Sequence, residues 1–409
     1  MKALTNPYTP NAGAEPQVIV GRDDQLESFD LLLGRLERGR TEQSMIITGL
    51  RGVGKTVLLG QFRDKAESAD WVVVELEMSK HDQREFRRSL AMRMRTALLQ
   101  LSPKARWGRR MRQAAAVLKS FQLSVDSDGT LTAGLDVERA EGLADHGDLQ
   151  LDLLDLFTAV GEAAAEERGG KGVVLLFDEV QFLGRDQLEA LIVSLHKMVQ
   201  RKLPVTMVGA GLPQIAELAG DAKSYAERLF TFPTIGNLDP ASAARALDEP
   251  ARQEHAYFRD EALTVAYELT SGYPYFIQEL GHAVWTVAEG PEITAQDVAD
   301  AAVAYRDKLD SSFFRVRTDR TTPLQLAYLR AMAELGPDPQ KAQDVARLLD
   351  RTSSQVGPIR AELIEMGLLY TPRHGYAAFT VPHFDEYMRR TVPHLEVPER
   401  RPTRHRGRR

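Results

Sequence analysis

Apolar residues recur at Leu26, Phe29, Leu32, Leu33 and Leu36, a three-and-four spacing that predicts an amphipathic helix with Asp23 placed at its N-cap. A different pattern follows. Met45-Ile46-Ile47-Thr48, Trp71 to Leu76, Val173 to Phe177, Val205 to Val208 and Leu229 to Phe232 are short, strongly apolar runs, and they predict five strands. The run from Val173 to Phe177 is apolar at every position, the signature of a strand covered on both faces, as in a parallel sheet. Helical pattern lies between most of these runs, so the expected class is α/β with helices on both faces of a central five-stranded parallel sheet.

Almost a hundred residues separate the second run from the third, a connection that must carry structure of its own. Arg84 to Lys119 reads as one or two basic helices. Phe121 to Val125 and Thr130 to Leu135 read as a hairpin around Ser127-Asp128-Gly129, and Leu149 to Glu167 as a returning helix. Beyond Asn237 the chain turns to alanine-rich helical pattern with Pro240 near a helix start, which predicts a helical lid. Helical stretches at Leu324 to Glu334, Lys341 to Leu349 and Ser354 to Met366 then precede two short β runs, Leu368 to Tyr370 and Tyr376 to Val381, around Arg373-His374-Gly375. This is the order of a helix-turn-helix with a β-wing. The expected organisation is a flexible N-terminal arm (1–17), an α/β domain (18–236) with a basic insert at about 80–147, a helical lid (237–310), a winged helix (311–392) and a basic disordered tail (393–409).

Composition narrows the classes. The absence of cysteine removes disulfides, Cys-ligated zinc and a thiol nucleophile. No uninterrupted apolar run of about 18 residues is present and Met1 to Pro16 has no apolar signal core, so a cytoplasmic, membrane-free protein is expected. A net charge of -6 conceals an asymmetry: Arg84 to Lys119 holds 11 basic residues and the single acid Glu85. The last ten residues add six arginines. Both segments suit nucleic acid or an acidic partner, with a solvated helix face and a solubilising tail as the plainer readings.

Gly49-Leu50-Arg51-Gly52-Val53-Gly54-Lys55-Thr56 fits G-x-x-x-x-G-K-[ST] and stands between a predicted strand and a predicted helix. Glycines let such a loop turn its N–H groups toward phosphates, and the following helical stretch from Lys55 to about Ala66 adds its positive dipole end, with Val57 in its first turn counted among the nucleotide-binding residues. Lys55 is expected to reach the β- and γ-phosphates of ATP, and the Thr56 hydroxyl to ligate Mg2+. Asp178 and Glu179 follow the apolar run at Val173. Asp178 is placed to hold the same Mg2+, and Glu179 to orient or deprotonate an attacking water; a helix N-cap is the structural alternative for the pair. Arg228, just ahead of the last run, is a candidate arginine finger for its own or a neighbouring subunit, against a local ion pair with Glu227.

Val20-Gly21-Arg22, the glycine-rich loop, Leu176 to Gln181, Val208 to Pro213 and Gly272-Tyr273-Pro274 resemble, in order, the motifs of P-loop ATPases of the AAA+ group, of the origin-recognition and STAND type. The C-terminal winged helix is similar to theirs. The resemblance implies that Gly21 and Arg22 lie near the adenine, that Asp178 and Glu179 form the Walker B pair, and that Gly272 to Pro274 close a lid over the nucleotide. The chain departs from the pattern in two places. Gly209-Ala210-Gly211 has only backbone where a polar sensor is usual, and Tyr275 stands where an arginine often follows the lid proline. These departures favour a slow nucleotide switch.

Two functions fit. One is a DNA-linked ATPase that couples ATP to engagement of DNA through the winged helix and basic segments. Ser353, Ser354, Gln355, Arg360, Glu362 and Glu365 on the candidate recognition helix, with Arg373 and His374 on the wing, suit base reading poorly. The other is a signalling or defence switch that assembles as a homo-oligomer or with a protein partner, without DNA. A small-molecule P-loop kinase is weaker, because Glu179 suits a water rather than an acceptor pocket. His81, His146, His196 and His383 lack metal-ligand spacing, and Trp285 and Tyr275 read as lid core.

Overall fold

The five apolar runs are the five strands of one parallel sheet, in the spatial order β2-β3-β4-β1-β5. The computed structural model describes residues 1–11, 13–79, 83–125, 137–167 and 172–398. These divide into two compact units, one made of Asn11–Glu15 and Ile19–Gly236, the other of Met1–Pro10, Pro16–Val18 and the chain from Asn237 onward.

In the first unit the elements run α1 (Asp23–Glu37), β1 (Ser44–Thr48), α2 (Lys55–Ser68), β2 (Val72–Glu77), α3 (Gln83–Leu101), α4 (Arg109–Val125), α5 (Leu149–Glu167), β3 (Val173–Asp178), α6 (Arg185–Arg201), β4 (Val205–Gly211), α7 (Ile215–Ala222), α8 (Ala226–Leu229) and β5 (Phe230–Thr231). Burial follows position in the sheet. The interior strands β1 and β4 are buried at every residue, whereas the edge strand β2 exposes Glu75 and Glu77 on either side of buried Leu76. A continuous apolar run and an alternating one are what two covered faces and one half-covered edge require. All strands point the same way, so their carboxyl ends, where ligands bind in open α/β sheets, share one side.

The insert corrects one expectation. Phe121 to Val125 is the last turn of α4 and not a strand, because Phe121 and Gln122 are buried at helical spacing from Leu118 and Val117. The second half of that hairpin, 126–135, lies outside the described residues. The basic stretch also divides. Arg87 makes a buried 2.7 Å ion pair with Asp152 of α5 and lies over the Phe121 ring, and Arg110 pairs with Glu162. Arg84, Arg88, Arg93, Arg106, Arg109 and Arg112 are exposed and Arg95 half-buried; none is in an ion pair among the described residues. On α3, Arg84, Arg88, Met92, Arg95 and Leu99 follow a four, four, three, four spacing and share one face.

The second unit comprises α9 (Pro240–Gln253), β6 (Tyr257–Phe258), α10 (Asp260–Thr270), α11 (Pro274–Val287), β7 (Glu292–Ile293), α12 (Ala295–Lys308), a π-helical turn at Leu309–Phe314, α13 (Arg315–Thr318), α14 (Pro323–Leu335), β8 (Gln340–Lys341), α15 (Ala342–Leu348), α16 (Ser353–Glu365), β9 (Leu369–Tyr370), β10 (Tyr376–Phe379) and α17 (Phe384–Thr391). Asp239 caps α9 by accepting from Ser242 N at 2.9 Å, with Pro240 in the first turn. The strands β9 and β10 stand where Leu368 to Tyr370 and Tyr376 to Val381 were read as β runs, whereas the two-residue strands β6, β7 and β8 were not legible. The expected boundary at 310/311 falls inside the π-helical turn. That turn sets Phe313 stacked on Tyr275 at 4.7 Å and Phe314 on Tyr387 at 5.0 Å, so one aromatic cluster spans both expected domains.

The N-terminal arm is not loose as far as Pro10. Tyr8 is 2% exposed and donates its hydroxyl to Leu247 O at 2.5 Å, and Trp285 Nε1 donates to Lys2 O at 3.1 Å. A side chain on Gly281 would come within 2.6 Å of the Tyr8 ring, so the glycine on α11 makes the slot that the tyrosine fills. The basic tail from 399 onward lies outside the described residues. Among the described residues no helix is long and apolar enough to cross a membrane.

Candidate nucleotide-binding site

Beyond Thr48 the chain leaves β1 at the carboxyl side of the sheet, and the glycines that follow take conformations open only to glycine at low cost. Gly52 has φ +77° and Gly54, the residue before α2, has φ +94°. Gly49 is required for a second reason: a Cβ there would sit 2.5 Å from Ile235 O. The loop is tied to the sheet by Gly49 N donating to Gly211 O at 3.1 Å, and Phe29 stacked on Phe62 at 4.5 Å holds α1 against α2.

Lys55 opens α2 and is 6% exposed. Its ammonium donates to Gly49 O at 3.0 Å and Leu50 O at 2.8 Å. Burial pushes the ammonium below the ordinary lysine range, and the charges of Glu179 and Asp178 pull the other way. A buried cation that leans only on loop carbonyls, beneath backbone turned by positive-φ glycines, fits a polyanion such as a triphosphate.

Thr56 Oγ1 donates to Asp178 Oδ2 at 2.6 Å, and Asp178 Oδ1 accepts from Glu179 N at 2.8 Å. Burial raises the Asp178 carboxyl above its usual range, against those two hydrogen bonds. A hydroxyl and a carboxylate brought together, with few other protein oxygens, suit Mg2+, which retains waters and phosphate oxygens among its ligands. Among the described residues no group of three or more His, Cys, Asp or Glu could hold a metal. The helix N-cap alternative for the acidic pair does not describe the contacts. Asp178 spends its oxygens on Thr56 and Glu179, while Glu179 precedes a 3-10 turn (Val180–Phe182) without making a side-chain cap bond.

Glu179 holds φ +53°, a left-handed conformation disfavoured for this residue type. Its Oε2 accepts from Gln181 Nε2, and Gln181 Oε1 accepts from Leu212 N at 3.0 Å, just past β4. The backbone-only stretch Gly209-Ala210-Gly211, read from the sequence as lacking a polar sensor, has a packing counterpart. A Cβ on Gly211 would lie 2.8 Å from both Val180 Cγ2 and Gln181 Oε1, and one on Gly209 3.2 Å from Val180 Cγ1. The small residues of β4 make room for side chains from the turn after β3. Sequence reading placed Gln181 at the end of the Leu176 to Gln181 motif but gave it no role.

Arg22 lies against the loop. Its guanidinium donates to Val53 O at 3.0 Å, Gly236 O at 2.7 Å and Gly21 O at 2.9 Å, and burial lowers its pKa. Gly21 beside it has φ +66°. Arg51 is half-buried within the loop, and Val57 follows Thr56 in the first turn of α2.

Arg228 is not brought to this site. Phe230 pairs with Ser44, the first residue of β1, so Arg228 sits at the amino edge of the sheet and the loop leaves the carboxyl edge. Five residues of strand separate the two edges by roughly 17 Å. The side chain is exposed and makes no ion pair among the described residues, so the local pair with Glu227 is not formed. It lines a cleft of about 450 Å3 with Arg35, Glu42, Gln43, His196 and Tyr225. Gly272 and Pro274 belong to the other unit. There Gly272 (φ +70°) allows a close approach to Leu238, whose carbonyl would meet a Cβ at 2.1 Å, and Pro274 starts α11. The His196 ring lies tilted against Tyr225 with centroids 4.6 Å apart, His146 pairs with Asp155 at 3.0 Å, and His81 lies outside the described residues.

Residues 18–208 match the family described as AAA ATPase domain, and residues 311–388 match a domain of unknown function. No curated protein matches the chain. Among solved structures, the Walker-type ATPase PABY2304 of Pyrococcus abyssi is 14% identical, with 92% of this chain and 97% of that one covered and a TM-score of 0.53. The ORC2 protein of Aeropyrum pernix, in its ADPNP–ADP complexes, is 13% identical, with 94% and 98% covered and a TM-score of 0.52. At these identities the likeness is one of fold.

Proposed function

Because residues 18–208 belong to the AAA ATPase domain family, we propose that this protein binds ATP with Mg2+ at Gly49 to Val57, hydrolyses it, and uses the nucleotide state as a switch that governs how it engages DNA. The observation that carries the ATPase reading is the Thr56–Asp178 hydrogen bond, which joins the loop to the acid at the end of β3. Thr56 and Asp178 would hold Mg2+, which supplies Lewis-acid charge at the phosphate oxygens when bound. Lys55 donates to the β- and γ-phosphates, and Glu179 orients or deprotonates the attacking water. Arg22 keeps the loop in shape through the Val53 carbonyl, and Gly21 with Arg22 stands near the base. Arg228, far from the loop of its own chain, serves the nucleotide of a second copy.

The exposed arginines of α3 and α4, which make no ion pair among the described residues, support the DNA part. Guanidinium groups bind phosphate in a forked geometry, and arginines spread along one face of a helix suit a charged backbone without base reading. The succession of α14, β8, α15, α16, β9 and β10 supports a winged helix. The exposed Ser354, Gln355, Glu362 and Glu365 of α16 favour a positioning rather than a base-reading role.

The test is ATP turnover by wild type and Glu179→Gln, with and without duplex DNA, at two salt concentrations. Turnover that rises with DNA and is lost in the variant supports the reading. Slow turnover indifferent to DNA transfers it to a switch that works through protein partners. In DNA titrations the triple variant Arg84→Ala, Arg88→Ala, Arg95→Ala should lower the slope of log affinity against log salt by about 3, near 0.9 per lost phosphate contact.

A further inference from the structure

We propose that Gln181 is a positioning residue for hydrolysis: its amide clamps the Glu179 carboxylate to the end of β4 and replaces the polar sensor that β4 lacks. The inference rests on the ATPase reading of the site.

Three observations carry it. Gln181 uses both ends of its amide, donating through Nε2 to Glu179 Oε2 and accepting through Oε1 from Leu212 N at 3.0 Å. An amide held at both ends has one orientation, and this one ties one oxygen of the Glu179 carboxylate to the end of β4. The β4 glycines are sized to the clamp, since any side chain at Gly211 would collide with Gln181 Oε1 and Val180 Cγ2, each 2.8 Å away. Glu179 is in a left-handed conformation, a local cost that persists only where its surroundings impose it.

The clamp also reaches the phosphate loop. Gly211 O accepts from Gly49 N at 3.1 Å, and the next residue, Leu212, donates to Gln181. A shift of the loop on nucleotide binding is therefore passed through one peptide of β4 to the amide that aims Glu179. Glu179 also follows directly on Asp178, whose carboxylate accepts from Glu179 N at 2.8 Å and from Thr56 of the loop at 2.6 Å. A polar side chain on β4 would do this by pointing directly into the site. Here the side chain comes from the turn after β3, and β4 contributes only a backbone N–H.

The experiment uses the full chain. Wild type, Gln181→Ala, Gln181→Glu, Glu179→Gln and the double variant Glu179→Gln/Gln181→Ala are compared for ATP turnover and for the Kd of mant-ATP with Mg2+. Gln181→Glu keeps the size of the side chain and the acceptor for Leu212 N, and sets a carboxylate against Glu179. We expect kcat to fall about tenfold in Gln181→Ala and further in Gln181→Glu, less than the hundredfold or more (~10²–10⁴) that the positioned base itself contributes, while mant-ATP affinity stays within about twofold of wild type. In the Glu179→Gln background, Gln181→Ala should change residual turnover by less than about twofold, because a residue that acts through Glu179 has nothing left to position. Wild-type kcat in both Gln181 variants, or an equal loss in both backgrounds, overturns the proposal. So does a parallel loss of mant-ATP affinity, which marks a structural role. Absence of turnover in wild type overturns the ATPase reading and this proposal together, whereas an active wild type with unaffected Gln181 variants overturns this proposal alone. Gln181→Glu keeps the test open should Gln181→Ala fail to fold.

Discussion

Thr56 and Asp178, 122 residues apart in the chain, meet through a 2.6 Å hydrogen bond at the carboxyl edge of the sheet. The meeting depends on strand order. β4 lies between β3 and β1, so the Asp178 carboxylate has to cross the end of β4 to reach Thr56, and there β4 ends in Gly209-Ala210-Gly211. The polar site and the small residues of β4 are one packing solution.

Burial of the same carboxylate sets a trade between stability and function. Burial raises the Asp178 carboxyl above its unfolded value, so the folded chain binds this proton more tightly and stability falls as pH rises from about 4 through the raised value. Asp178→Asn removes that cost and still pairs with Thr56. The nucleotide-free variant should melt about 2–4 °C higher than wild type at neutral pH, and lose this component of the pH dependence. Mg2+-dependent tightening of ATP binding should vanish. Melting curves from pH 4 to 8, with and without MgATP, check all three, and a destabilised Asp178→Asn would contradict the burial account.

Lys55 and Glu179 separate binding from chemistry. Lys55→Ala should abolish mant-ATP binding, because the loop loses its one buried ammonium, whereas Glu179→Gln should bind normally and turn over at least a hundredfold more slowly, on the order expected for a lost general base. Equilibrium binding and single-turnover assays read the two effects apart. Retained affinity in Lys55→Ala would sink the site assignment.

Arg22 holds three carbonyls at once, those of Gly21, Val53 and Gly236. Arg22→Ala should lower the melting temperature by about 4–8 °C, the scale of a loss on the order of 2 kcal/mol from charge-assisted hydrogen bonds, and should weaken ATP binding by freeing the Val53 peptide. Arg22→Lys should recover little, since one ammonium cannot match a fork that spans carbonyls on two segments. Full recovery by lysine would mean that charge alone matters there.

Legibility in the sequence followed the range of the forces involved. The strands could be read because burial on both faces leaves continuous apolar runs, and the loop because positive-φ glycines and a lysine recur at fixed spacing. Phe121 to Val125 misled because aromatic and β-branched residues at a helix end look like a strand when the helix's own burial pattern is not followed back to Leu118. The docking of Tyr8 against Gly281 depends on contacts 273 residues apart that leave no periodic trace. Gln181 was hidden for a similar reason: a clamp made of two hydrogen bonds has no spacing rule, and only the collision at Gly211 explains why β4 carries no sensor of its own.

Arg228 offers the sharpest test of assembly. It stands at the amino edge of the sheet, exposed and outside any ion pair among the described residues, while the loop of its own chain leaves the opposite edge. An arginine in that position helps hydrolysis only where a second copy presents its nucleotide. Arg228→Ala should therefore bind mant-ATP as wild type does and lose turnover, by up to about a thousandfold where an arginine finger is the dominant effect. Wild-type turnover per chain should rise with protein concentration. Mixing Arg228→Ala with Lys55→Ala tests the geometry directly, because the second variant retains Arg228 and the first retains a working loop. Turnover in the mixture well above the sum of the two separate variants is the expected result. Its absence, with both variants folded, would assign the exposed arginine and its cleft to a surface role and remove the second copy from the mechanism.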